Sequence, residues 1–275
     1  MSSTESVIQA LFEQPAHRKV LDNGLTVLVK EDNSSQISSV QLWIKTGSIH
    51  EGALLGAGLS HYLEHMLFKG TEARTGKQIS REVQSLGGYI NAYTTFDRTV
   101  YYIDLPSENT RQAIDILSDA AFNSTLPEDE VGRERDVILR EIDMGLDDPD
   151  QRLGSALFEI CYRHHPYKYP VIGYRDIFET VTQEELTDYY KRRYVPNNMV
   201  LVVAGDVSAE SVFKFADEII GPFSRKRLES VYIAEEPPTL TKREQVLTGD
   251  VNILSLIHIS EPTRRTPISY AVFCL

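Results

Sequence analysis

The residues best suited to chemistry lie in one run: Gly58-Leu59-Ser60-His61-Tyr62-Leu63-Glu64-His65-Met66-Leu67-Phe68-Lys69-Gly70-Thr71. His61, Glu64 and His65 stand at i, i+3 and i+4, so on an α-helix their side chains leave from one face. Two imidazoles one turn apart reach the same metal ion, and a carboxylate beside them reaches a water on that ion. The pattern is H-x-x-E-H, the reverse of the commoner H-E-x-x-H zinc helix. Such a site needs a third protein ligand and an open position for water. A carboxylate or histidine on another element must therefore complete it. A histidine pair one turn apart is more often a packing or surface feature, but three features weigh against that here. The rest of the helix is apolar (Leu59, Leu63, Met66, Leu67), which predicts burial, and buried ionisable groups need partners. The glutamate sits at the spacing that serves metal-water chemistry. A glycine-rich loop, 52–58, precedes the helix, with Ser60 as the expected N-cap.

His61 to Thr71 resembles the signature of the pitrilysin, insulinase and mitochondrial processing peptidase superfamily, the inverzincins. A second run, Glu134-Arg135-Asp136-Val137-Ile138-Leu139-Arg140-Glu141-Ile142 followed by Asp147-Asp148-Pro149, is similar to that superfamily's second signature. The likeness spans residues 17–253 and is greatest to the processing-peptidase subfamily. It implies a zinc metalloendopeptidase acting on short or unfolded peptides. The implied ligands of Zn2+ are His61, His65 and Glu141. Glu64 is then the general base that takes a proton from the zinc-polarised water and returns it to the leaving amine. Glu134, seven residues before Glu141, is implied as a carboxylate that supports the metal site. Gly88 to Thr94 resembles the family's substrate-binding edge strand, where Asn91, Ala92 and Tyr93 would meet an extended peptide by strand addition. Without the resemblance, that stretch reads as an ordinary strand after a Gly-Gly turn. Family subunits have two halves of similar fold around a peptide chamber, and the second half supplies an Arg and a Tyr to the site. Such subunits also pair as homodimers or as heterodimers with a related subunit. Two other readings stay open: a non-catalytic scaffold subunit, and a zinc-binding fragment without turnover.

The 275 residues carry a net charge of −12, with 41% hydrophobic and 25% charged residues. That is ordinary globular composition. The acidity argues against a nucleic-acid partner. No apolar run reaches membrane-spanning length, and the N-terminus has neither a secretory nor an Arg-rich transit pattern. Cys161 and Cys274 make no disulfide framework. A bacterial cytoplasmic location is expected. His164 and His165 read as a solvated loop and Cys161 as a packing thiol.

In order, the chain predicts a hairpin over 18–31 turning at Asn23-Gly24 and a strand over 39–45. The metal helix follows, then a helix over 77–86 and strands over 89–95 and 99–105. Helices follow over 107–122, 127–143 and 150–163, with Pro127 in a first turn. Thr182 with Glu185 forms a capping box opening a helix to Arg193. A strand over 199–204 and a helix from Ser208 to about Ile220 close the pattern. The fold class is α+β, a mixed β-sheet layered with helices, the first of two similar halves with the second missing. The expected divisions are an N-terminal extension (1–16), a zinc-peptidase domain (17–225, closing segment about 182–225), a linker (226–240) and the first strand of a second domain (241–253). Residues 254–275 resemble the conceptual translation of a sequencing-library adapter, which implies that the native reading frame continues beyond about Ile253.

Overall fold

A computed structural model describes residues 16–247 and the backbone of two strands at 256–260 and 269–273. Residues 1–15 of the expected N-terminal extension, residues 248–253 of the expected second-domain strand (241–253) and much of the 254–275 segment lie outside the described residues; residues 241–247 form no strand.

Six strands form one mixed sheet: β1 (His17–Val20), β2 (Thr26–Glu31), β3 (Ile37–Ile44), β4 (Tyr89–Thr94), β5 (Thr99–Pro106) and β6 (Met199–Gly205), in the order β1-β2-β6-β3-β5-β4. Only β2 and β6 run parallel; every other pair is antiparallel. Among the described residues eight α-helices are interleaved: α1 (Leu59–Leu67), α2 (Gly76–Ser85), α3 (Thr110–Asn123), α4 (Glu128–Asp147), α5 (Pro149–Cys161), α6 (Arg175–Phe178), α7 (Gln183–Arg193) and α8 (Ala209–Ile220). The class is the mixed α+β arrangement that the sequence predicts. The last strands, β7 (Leu256–Ser260) and β8 (Ser269–Phe273), pair with each other, not with the main sheet.

Period-two alternation decides which face is covered. Val27, Val29, Val40, Leu42, Ile44, Tyr101, Ile103, Leu201 and Val203 point into a core shared with α1, α3, α7 and α8. Gln41, Trp43, Tyr102 and Asp104 on the other face are half-buried. The first hairpin turns at Asn23-Gly24 as expected. Gly24 has φ +87°, and a Cβ there would come within 2.7 Å of the Asn197 Cβ, so glycine alone fits. Asn23 fixes that turn to the end of α8 by donating to Ile220 O at 2.8 Å. The Thr182–Glu185 capping box forms, and Ser208 caps α8.

Four local expectations are corrected. Pro127 is the N-cap of α4 and not part of its first turn. That helix runs on to Asp147, past the expected end at Asp143. Asp148 then caps the next helix, accepting from Asp150 N and Gln151 N with Pro149 at its start. A short helix over Arg175–Phe178 was not read from the sequence. The stretch read as a linker (226–240) and residues 241–247 after it have no helix or strand, yet both are docked. Glu236 accepts the backbone N–H groups of Arg163, His164 and His165 at 2.8–3.0 Å. Arg243 caps the end of α5 through the carbonyls of Ile160 and Cys161. Among the described residues no helix is long and apolar enough to cross a membrane.

Candidate metal centre

Helix α1 is buried along Leu59, Tyr62, Leu63, Met66 and Leu67. That leaves His61, Glu64 and His65 together on the face turned to α4 and β4. The two imidazole centroids are 4.7 Å apart. Helix α4 packs across through Val131, Ile138 and Ile142, and Tyr62 OH donates to Val131 O at 2.5 Å, which fixes the lengthwise position of one helix against the other. Glu141 is thereby delivered to the histidines. Its Oε2 lies 3.8 Å from His61 Nε2 and 3.5 Å from His65 Nε2.

Those spacings can be tested against an ion. Zinc holding nitrogen and oxygen donors at about 2.0–2.1 Å in a tetrahedron places neighbouring donors about 3.3 Å apart. The three donor atoms here all lie within 4.8 Å of one another, so modest closure gives a zinc-sized cage. Burial, and then the neighbouring His65, push His61 down to about 3. Its ring is therefore neutral near pH 7 and can offer a lone pair to a metal. His61 Nδ1 is buried without a hydrogen-bond partner. His65 is oriented from behind: its Nδ1 lies 3.0 Å from Glu134 Oε2, which turns Nε2 toward Glu141. The other Glu134 oxygen holds the Lys69 ammonium. Burial works to raise the Glu134 carboxyl, but Lys69 and His65 outweigh it and hold it below the ordinary range.

Glu64 is half-buried beside this cage. Burial raises its carboxyl above the ordinary value, and Glu141 adds to the rise; hydrogen bonds from the side chain and backbone of Thr94 and the nearby His65 oppose it. Thr94 ends β4, the edge strand of the sheet. The strand carrying Asn91, Ala92 and Tyr93 thus runs up to the glutamate. Asn91 and Tyr93 are exposed on one face, and Ala92 packs toward the helical layer. His164 and His165 lie in the loop docked on Glu236, and Cys161 is half-buried at the end of α5.

The sequence reading missed the group that sets the start of α1. Ser60 is not the N-cap: it lies inside the helix, with its hydroxyl bonded to Tyr189 OH at 2.8 Å. Gly58 takes the cap position at φ +70°, where a Cβ would lie 2.2 Å from Ile172 O. The first helical N–H groups go instead to buried Glu51, whose two oxygens accept from Gly58 N and Ser60 N at 3.0 Å each. Burial pushes the Glu51 carboxyl up to about 8 against the pull of those N–H groups. An acidic residue set in an apolar, glycine-rich loop was the available signal.

With this geometry in place, comparison with known proteins is informative. A family profile described as Insulinase (Peptidase family M16) matches residues 26–175, and one described as Peptidase M16 inactive domain matches residues 180–272. The chain is 36% identical over 204 residues to an uncharacterized zinc protease of Mycobacterium leprae, covering 74% of this chain and 46% of that protein. It is 38% identical over 198 residues to mitochondrial-processing peptidase subunit beta of Neurospora crassa, covering 72% and 41%. Among solved structures, a protease from Helicobacter pylori superimposes with TM-score 0.77 at 28% identity, covering 82% of this chain and 55% of that one. The chain spans about half the length of the curated relatives it matches.

Proposed function

The chain belongs to the insulinase family, peptidase family M16, and from that premise we propose that it carries the metal site of a zinc metalloendopeptidase acting on short or unfolded peptides. The observation that carries this reading is the convergence of His61, His65 and Glu141 on one ion-sized gap with Glu64 beside it. A zinc ion bound there would polarise a water and the scissile carbonyl. His61, neutral near pH 7, and His65 would hold it through their ring nitrogens, with Glu141 as the third donor. Glu134, 3.0 Å from His65 Nδ1, would hold that ring so that Nε2 is left for the metal. Glu64 takes a proton from the attacking water and delivers it to the leaving amine, a task that a carboxyl raised by burial suits.

The peptide is proposed to add as a seventh strand on β4, so that backbone hydrogen bonds supply affinity with little demand on sequence. Turnover is proposed to need the remaining half found in the relatives, and pairing with a second or related subunit would close the chamber. The competing reading is a scaffold subunit without turnover, and the match of residues 180–272 to a profile described as an inactive domain speaks for it.

Glu64→Gln in a chain extended to the relatives' length separates the two. The variant should keep zinc by elemental analysis and lose several orders of magnitude in kcat, because the ligands remain and the base is gone. If it retained more than about a tenth of the parent kcat, Glu64 would not be the base. If the extended parent bound no zinc, the scaffold reading would hold.

A further inference from the structure

The free edge of β4 carries a device that the peptidase reading does not require. Thr95 N donates to Arg98 O at 2.8 Å where β4 turns into β5. Hydrogen-bonded pairs alternate in an antiparallel ladder. In the register Tyr93↔Val100, Asn91↔Tyr102 and Tyr89↔Asp104, residues 89, 91 and 93 therefore face β5. The N–H and C=O groups of Ile90, Ala92 and Thr94 face outward, where an added strand would pair.

One of those outward donors already has an acceptor in this chain. Ala92 N–H goes to the Asn91 Oδ1 of the preceding residue, at 2.8 Å. A backbone N–H only donates, so the carboxamide oxygen must face Ala92. The carboxamide nitrogen then donates to Tyr89 OH at 2.8 Å, which fixes the amide plane from the other end. Tyr89 and Asn91 are both exposed, so this chain of bonds can open without disturbing the core.

We propose that Asn91 is a removable cap on the peptide-binding edge: its carboxamide oxygen holds the Ala92 N–H in the free protein and gives it up to a backbone carbonyl of an incoming extended peptide. This rests on the reading of β4 as the substrate strand and deepens it. The cap has a use apart from catalysis. An exposed edge with unpaired donors is a template for association with other chains, and Asn91 masks the Ala92 donor on that edge. Any peptide strand must first displace the cap, so loose apolar segments are held off while a well-matched extended strand is admitted.

The test uses Asn91→Ala, which removes the cap, and Asn91→Asp, which keeps an acceptor. Amide hydrogen exchange at Ala92 is read by NMR, with Leu42 of the central strand β3 in the same spectra confirming that each variant is folded. Binding of a fluorescein-labelled, uncharged, proline-free decapeptide is read by anisotropy in EDTA, so that no bond is cut. Exchange at Ala92 should be slowed in the parent and in Asn91→Asp and about fivefold faster in Asn91→Ala, the factor expected for one net neutral hydrogen bond. Asn91→Ala should bind the peptide about fivefold tighter for the same reason. Equal Ala92 exchange in parent and Asn91→Ala overturns the cap. Weaker peptide binding by Asn91→Ala overturns it also, because Asn91 would then be a contact to the peptide. No binding to any of the chains refutes the substrate-strand reading and the gating role with it, whatever the exchange at Ala92 shows.

Discussion

Replacing Glu134 tests whether the zinc cage depends on a carboxylate that does not line it. Glu134 is 11% exposed and uses both oxygens, one on His65 Nδ1 at 3.0 Å and one on Lys69. Glu134→Gln keeps an oxygen for the imidazole N–H but removes the charge, and its NH2 group turns toward the Lys69 ammonium. Glu134→Ala leaves a half-buried ammonium and an imidazole N–H without acceptors. Loss of a partner behind a metal-bound histidine costs about 10–100-fold in metal affinity. The glutamine variant belongs near the lower figure because its geometry survives, and the alanine variant near the upper. These are about 1.4 and 2.7 kcal/mol. Competition for zinc against a chromophoric chelator at pH 7.5 measures both, and urea melts of the metal-free proteins record any general loss of stability. Should both variants hold zinc within about twofold of the parent, His65 would be oriented by packing alone and the role given to Glu134 would be wrong. A stability loss in Glu134→Ala with zinc affinity intact would refute it equally.

Three further outcomes are expected. His65→Ala should lose stoichiometric zinc, since two donors do not hold the ion tightly; equal zinc by elemental analysis in parent and variant would undo the ligand assignment. Deleting residues 254–275 should leave the urea midpoint unchanged, because β7 and β8 pair with each other and not with the six-stranded sheet; a loss above about 2 kcal/mol, the scale of one buried large side chain, would show that the segment packs on the domain. Glu51 binds its proton up to about pH 8 in the folded chain, against 4.5 for an ordinary glutamate. The unfolded chain has already released that proton, so stability falls as pH rises between those values, and Glu51→Gln should lose about 2 kcal/mol less than the parent between pH 6 and pH 8; parallel urea curves would refute this.

The parts of this fold that depend on neighbours in sequence were legible in it. Asn23-Gly24 marks its turn, Thr182 with Glu185 and Ser208 mark their helix starts, and His61, Glu64 and His65 mark one helix face. Each is a backbone or periodicity rule acting within a few residues. What was misread depends on distant groups. Ser60 has the right side chain for an N-cap, yet Gly58 holds that position and Glu51 supplies the two oxygens for the N–H groups of Gly58 and Ser60. No local rule looks nine residues back for a cap. The place of β6 between β2 and β3, and the docking of Glu236 on residues 163–165, are likewise set by tertiary packing. Glu141 is intermediate. Its pairing with the histidines rested on resemblance alone, because nothing in the spacing of residues 65 and 141 says that α1 and α4 touch.

The packing also joins two parts of the site that the sequence keeps separate. Thr94 ends the edge strand, and its hydroxyl lies 3.5 Å from Ser60 O, at the first turn of α1. The strand proposed to seat the peptide is thus tied to the helix that carries the proposed base and two of the proposed metal ligands. A peptide lengthening the sheet on β4 would be seated against a frame in which Tyr62 and Val131 hold α1 and α4 in register and Glu134 orients His65.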